Sequence, residues 1–269
     1  WRMLLHTAGH QVSLGFSFVA LMIGYLVNLV IPRGGEVSRC YYIYRLNKTP
    51  VEVSFGTVVV ERIADLLSLA VVLLLAFLLE FDKLYSFLGN LPFQNPLQGR
   101  RPMILALWLL VIILGVIVLW KRLRRYERFQ TWFSKIWNGF LAGIRSAIQL
   151  ENRGMFLFHT VGIWVLYFLM SYAVFKAFEE TSHLGAAAVL SIFALGTIAM
   201  AVPLPGGTGS YHVLIPAGLV WLYQLPESNA VAFTFIFHGW QTLVLIVTGL
   251  ICLIAGAWII KRSAKNEDV

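Results

Sequence analysis

VEVSFGTVVVERIADLLSLAVVLLLAFLL, residues 51–79, is an apolar run with Glu61, Arg62 and Asp65 set inside it. A membrane-spanning helix needs about 20 predominantly apolar residues, so the length of this run decides the class of fold. The three charges raise the functional question. Each costs about 2.5 to 3.5 kcal/mol at mid-membrane depth on insertion scales, so such residues face protein or water and mark a functional pathway. Glu61 and Asp65 lie one turn apart on a helix face, with Arg62 beside them.

The rest of the chain has the same character. Of its 269 residues, 59% are apolar and 13% charged, against roughly 25% charged in soluble domains. The expected fold is all-α: a polytopic integral membrane helical bundle, one membrane domain over residues 1–269. About six to seven spanning segments are expected, with two Pro/Gly-broken or re-entrant helices. The segments are 14–31, 54–79, 103–120, 155–178, 184–202, the broken stretch 203–223, and 230–260. A net charge of +8 would suggest nucleic acid for a soluble protein, but here Lys and Arg cluster at the ends of apolar runs. There they act as topology and lipid-contact signals, and no nucleic-acid partner is expected. Cys40 and Cys252 have no His or Cys at metal-ligand spacing, so neither a metal site nor a disulfide framework is expected. The opening WRMLLHTAGHQ has no initiator Met and no signal-peptide pattern, as expected of a chain lacking its native N-terminus.

Orientation follows from the basic residues. The connection 121–153 carries Lys121, Arg122, Arg124, Arg125, Arg128, Lys135, Arg145 and Arg153, and the tail carries Lys261, Arg262 and Lys265. The positive-inside rule places both in the cytoplasm of a cell with this protein in its cytoplasmic (inner) membrane. Residues 33–48 then fall inside, and residue 1 and the loop 81–101 outside. Parity requires that 184–223 begin and end outside, as two crossings or as one re-entrant hairpin. Within the basic connection, Trp132, Phe133, Ile136, Trp137, Phe140, Ile144 and Ile148 recur at helical spacing, which predicts an amphipathic helix. It either lies in the membrane interface near anionic lipid or packs its apolar face beneath the bundle.

Two segments break the apolar pattern. NLVIPRGGEVSRCYY, residues 28–42, holds Asn28, Pro32, Gly34 and Gly35, followed by Arg33, Glu36 and Arg39 at three-residue steps. AVPLPGGTGSYH, residues 201–212, holds Pro203, Pro205, Gly206, Gly207 and Gly209 ahead of Ser210 and His212. Unwound backbone at membrane depth is tolerated where it is buried in protein or lines a cavity, and it marks transporter binding sites. Aligning Gly34-Gly35 with Gly206-Gly207 also superposes Ser38 on Ser210 and Val30 on Val202. Inverted-repeat transporters leave such echoes; chance accounts for four matched positions equally well.

Arginine pairs phosphate through a planar, permanently charged fork of donors. The candidate substrate-binding set is therefore Arg33, Glu36, Arg39, Glu61, Arg62 and Asp65, with the prolines and glycines as hinges and exposed backbone. Asn28, Ser210, His212, His238 and Gln241 are candidate polar lining. Three positive groups against three negative also fit a structural ion-pair network. Ser210 with a histidine could form a nucleophile and base, but no G-x-S-x-G, H-E-x-x-H or Walker A pattern is present. His238 and Gln241, one turn apart, fit interhelical hydrogen bonding, so no catalytic residue is assigned.

In three blocks the chain resembles the lysylphosphatidylglycerol synthase transmembrane region, or flippase-like domain. They are Asn28, Pro32, Arg33, Gly35, Glu36 and Arg39; then Glu61, Arg62 and Asp65; then Pro203, Pro205, Gly206, Gly207 and Gly209. The resemblance covers nearly the whole chain. It implies the function of the similar region in multiple peptide resistance factors, which is associated with moving aminoacylated phosphatidylglycerol between leaflets. Family members often carry an acid where this chain has Tyr211 and His212. The soluble aminoacyl-transferase domain of those larger proteins does not follow within these residues, so a stand-alone, non-enzymatic translocator is expected. Its cargo would be a phosphate-bearing lipid, such as an aminoacylated phosphatidylglycerol or a polyprenyl-linked lipid, with anionic phospholipid as partner and no cofactor. The alternatives are an intramembrane head-group transferase or hydrolase and a non-catalytic membrane scaffold.

Overall fold

The computed structural model of this chain describes residues 1–90 and 127–267. The expected segment 103–120 and the basic residues from Lys121 to Arg125 lie outside the described residues. The described helices are α1 (Arg2–Thr7), α2 (Leu14–Asn28), α3 (Gly34–Asn47), α4 (Val51–Leu79), α5 (Phe81–Asn90), α6 (Glu127–Ile148), α7 (Arg153–Ala177), α8 (Glu179–Ser182), α9 (Ala186–Ala201), α10 (Ser210–Tyr223) and α11 (Glu227–Glu267). A 3-10 turn, Pro205–Gly207, joins α9 to α10.

Among the described residues, α4, α7 and the Glu227–Arg262 part of α11 are long and apolar enough to cross a membrane. With 29 residues, α4 extends about 43 Å, more than the roughly 30 Å of a hydrocarbon core. It begins directly after Pro50, which cannot continue a preceding helix, and ends where Glu80 leaves helical geometry at φ −137°.

Between these long helices lie two helical hairpins. Ser13 starts α2 by accepting a hydrogen bond from the Phe16 amide at 3.1 Å, which satisfies one of the orphan donors of a first turn. After the break at residues 29–33 the chain turns back, and α3 packs antiparallel on α2. A Cβ at Gly35 would lie 2.2 Å from the Gly24 carbonyl oxygen, and Ile43 shares a core with Ala20 and Val12. At the open end Asn47 Nδ2 donates to the Gln11 carbonyl at 3.2 Å. The expected crossing 14–31 is therefore one arm of a hairpin, and residue 1 sits at the same end as residues 47–51. The arm α2 has 15 residues and extends about 22 Å, less than the roughly 30 Å of a hydrocarbon core.

The second hairpin pairs α9 with α10. Ser210 Oγ donates to the Ala199 carbonyl at 2.7 Å near the tip, Gly196 lies against Tyr211 and Ile215, and Gly218 against Leu195 and Ile192. At its base Ser191 and Tyr223 both donate to the Glu80 carboxylate. The first hairpin thus opens at the N-terminal end of α4 and the second at the C-terminal end. The stretch 184–223 thus forms two helices paired antiparallel about the turn at Pro205–Gly207.

The two hairpins and their following long helices share a register. Gly24 meets Gly35 in the first, and Gly196 meets Tyr211 in the second. Arg33 and Gly209 precede the return arms with positive φ, and Lys48 and Gln224 end them, each at φ 56°. Pro50 and Pro226 then open α4 and α11. Residues at the matched positions are buried in both halves: Ile43 and Leu219, Thr49 and Leu225, Ser54 and Ala230, Thr57 and Phe233. Entry from opposite ends of α4 makes the repeat inverted. The match of Ser38 to Ser210 is displaced, because the second break is longer and the return arms align through Arg33 and Gly209.

The amphipathic helix α6 packs against the first turns of α4. Its Gly143 would place a Cβ 2.4 Å from the Val53 carbonyl oxygen, and Gly56 of α4 would place one 2.3 Å from the Phe140 carbonyl oxygen. Small residues on both helices let the two backbones touch. Trp132 and Trp137 remain exposed on the far side.

Candidate functional site

The first site is assembled where α3 leaves the hairpin tip and crosses α4. Asn28, the last residue of α2, turns its Oδ1 across the break to accept the Gly35 amide at 2.7 Å. That bond caps the first turn of α3 and sets the direction in which Glu36 and Arg39 leave the break. Gly35 is required there, since any Cβ would overlap both Asn28 and the Gly24 backbone.

Arg39 is 3% exposed. Its Nη1 lies 2.9 Å from Glu61 Oε1, which also accepts from Arg62 Nη2 at 2.6 Å. The same Arg62 nitrogen reaches Asp65 Oδ2 at 3.1 Å. One carboxylate oxygen therefore serves two guanidinium groups. The Trp1 ring covers Arg39, with Cζ 4.9 Å from the ring centroid, and is held by its Nε1 donating to Thr57 Oγ1 at 3.0 Å. Trp164 of α7 lies near Asp65, and Tyr167 near Tyr25.

Not every donor in this cluster is used. Arg39 Nε and Nη2, Arg62 Nε and Glu36 Oε2 are buried and have no hydrogen-bond partner among the described residues. A buried unsatisfied group costs about 1–3 kcal/mol, more when charged. The free donors of Arg39 and Arg62 suit an oxyanion, and Glu36 suits a donor.

The six charges expected to balance as one set divide in two. Arg33 does not join the cluster: its Nη1 is 3.7 Å from Glu36 Oε1, and its Nη2 donates to the Ala201 carbonyl at 2.7 Å. It bridges the tip of the first hairpin to the end of α9, beside the tip of the second. Leu29 packs there too, against the left-handed turn at Gly206. The two breaks therefore meet, and α11 passes behind them. His238 Nε2 bonds the Gly206 carbonyl at 3.0 Å, and Gly249 and Gly256 take the side chains of Leu26 and Val19.

Residues 1–249 match the lysylphosphatidylglycerol synthase TM region. The chain belongs to that family. A stretch of 68 residues is 32% identical to the UPF0104 membrane protein MJ1595 of Methanocaldococcus jannaschii, covering 24% of this chain and 20% of that protein. No solved structure matches. The chain is a membrane protein of this family; of the three motif blocks that carry the resemblance, the first and third hold the two tips that meet, and the second is the charged turn of α4.

Other expected lining residues take different positions. The Ser210 hydroxyl is engaged with the Ala199 and Gly207 carbonyls at 2.7 and 3.2 Å, so it caps the tip of the second hairpin. His212 and His238 stand edge to face, 4.8 Å between centroids. Gln241 is half-buried one turn beyond His238. Reading by sequence missed Trp1, Thr57, Tyr25, Trp164 and Tyr167. Aromatic residues in apolar helices look alike whether they face lipid or a site. The usable signal is that Trp164 and Tyr167 recur one turn apart, facing the charged turn of α4.

Proposed function

We propose that this chain is a lipid translocator, moving a phosphate-bearing lipid between leaflets with its head group in the polar path at the hairpin tips and its acyl chains in the bilayer. The observation that carries this reading is Arg39: 3% exposed, yet with two donors unpartnered. Keeping such a group without a ligand is costly, and an oxyanion at Arg39 and Arg62 removes the cost. Glu61 orients both arginines, and Glu36 and Asp65 are placed to receive a head-group donor. The breaks allow hinge motion, since Gly206, Gly207 and Gly209 all have positive φ. No nucleotide-binding motif is present in the sequence, which fits passive or gradient-coupled movement. With the basic residues of the tail on the cytoplasmic side, the charged site is reached from the cytoplasmic leaflet of the inner membrane.

The test is leaflet exchange of head-group-labelled phosphatidylglycerol in proteoliposomes holding the purified protein. Exchange is expected in wild type and is expected to collapse in Arg62→Ala and Glu61→Gln variants that remain monodisperse. Unchanged exchange in both variants rejects the site. A new lipid species or released head group would instead identify a transferase or hydrolase.

A further inference from the structure

We propose that the second half of the molecule holds a separate head-group site, in which His212 and His238 take the phosphate oxyanion of the lipid when protonated. It rests on the translocator reading and adds to it a second station on the path. The shared register carries the inference. Matching Arg33 to Gly209, Lys48 to Gln224 and Pro50 to Pro226 brings Glu36 onto His212, Arg62 onto His238 and Asp65 onto Gln241. Three of the five charged positions of the first site on α3 and α4 thus recur as polar residues in otherwise apolar helices.

The other two positions differ, and the difference sets the behaviour of the site. Glu61, which ties up Arg39 and Arg62 in the first half, is matched by Phe237, and Arg39 by Ile215. Among the described residues no carboxylate pairs with either histidine. His238 is 6% exposed and is held from two sides, stacked on Tyr211 at 4.8 Å and 24° and bonded to the Gly206 carbonyl. His212 stands against His238 and, at 4.4 Å, Phe235. Among the described residues, the groups facing His238 are Tyr211, His212 and the Gly206 carbonyl, so the charge they bring is that of the histidines. A permanently charged, acid-buffered site in one half and a protonation-dependent one in the other suit capture and release of the same phosphate. His238 also bonds the turn at which the tips meet, which puts its protonation in contact with the moving part.

The same chemistry would accept free phosphate, so the experiment has an arm for each source. Exchange of labelled phosphatidylglycerol is followed in proteoliposomes from about pH 5.5 to 8, across the histidine range, with and without excess inorganic phosphate. Wild type is expected to exchange faster as the pH falls. His238→Gln and His212→Gln keep a hydrogen-bonding side chain but cannot be charged; each is expected to slow exchange at low pH by about tenfold, the loss of one charge-assisted hydrogen bond, and to flatten the pH profile. His238→Arg, copying Arg62, is expected to exchange at all pH values with no rise on acidification. Slowing by inorganic phosphate in wild type and not in His238→Gln assigns the site to free phosphate as well; no slowing assigns it to the lipid alone. Both histidine variants matching wild-type rate and pH profile, while Arg62→Ala is inactive, overturns this site and leaves the translocator standing. No exchange by wild type at any pH overturns the translocator instead.

Discussion

Replacing Arg39 with Met separates a functional charge cluster from a structural one. The substitution removes the 2.9 Å contact to Glu61 and the stacking on Trp1. Breaking a buried pair from one side costs about 3–5 kcal/mol when the other charge is stranded, and the cation–π contact adds about 0.5–2 kcal/mol. Glu61 is not stranded, because Arg62 holds the same oxygen at 2.6 Å, so the loss falls toward the lower figure. Against it, Arg39→Met removes the two unpartnered donors, at about 1–3 kcal/mol each, and leaves an unbranched chain of similar length in the same space. The two sides cancel to within about 2 kcal/mol. The apparent Tm in detergent, read by tryptophan fluorescence, should therefore move by no more than about 8 °C, at about 2–4 °C per kcal/mol for a chain of this size, while lipid exchange is lost. A fall well beyond that range, or retained exchange with an unchanged Tm, would refute the reasoning. The first outcome would make the cluster a structural brace, and the second would make Arg39 idle.

Three further outcomes test the fold. Gly143→Ala forces a Cβ to 2.4 Å from the Val53 carbonyl and should destabilise by about 1–3 kcal/mol through overpacking, whereas Gly162→Ala, with nothing within 4 Å of the new Cβ, should stabilise α7 by about 0.5–1 kcal/mol; the apparent Tm of both variants decides. Glu80 lies just beyond the α4 span: burial raises its pKa, but hydrogen bonds from Lys83, Tyr223 and Ser191 outweigh that and leave its carboxyl below the usual range. Its contribution is present above the unfolded carboxyl value near about 4.3 and is lost as the pH falls through the lower folded value, so wild type should lose Tm there and Glu80→Gln should show a lower Tm with less pH dependence. Cysteines at Leu29 and Gly206, with Cys40 and Cys252 replaced, should crosslink the tips on oxidation; exchange should stop, and return with reductant.

The charged turn of α4 and both breaks were legible in the sequence, because each is a local departure from an apolar background. Glu61, Arg62 and Asp65 stand out in a run of Val and Leu, and Pro32 with Gly34 and Gly35 interrupts a helix wherever it is found. The pairing of the charges was not legible. Arg33 and Arg39 sit on the same helical face by spacing, yet the left-handed geometry at Arg33, φ 61°, turns its side chain toward Ala201 while Arg39 goes inward to Glu61. The repeat was visible only as a short echo, since its best evidence is geometric: Lys48 and Gln224 share a conformation but no chemistry.

The sequence by itself determined the solvent of this protein, its helical class and the places where its helices fail, since length, hydropathy, proline and buried charge act through local free energies. Only the tertiary structure decided that Leu14–Asn28 and Ala186–Ala201 pair with the helices that follow them, that their tips meet, and that Arg39 and not Arg33 is the buried partner of Glu61. In lipid an apolar side chain gains little by facing protein over acyl chain, so composition does not mark which helix faces pair. The pairing is set by close approach at Gly24, Gly35, Gly196 and Gly218, between segments far apart in the chain.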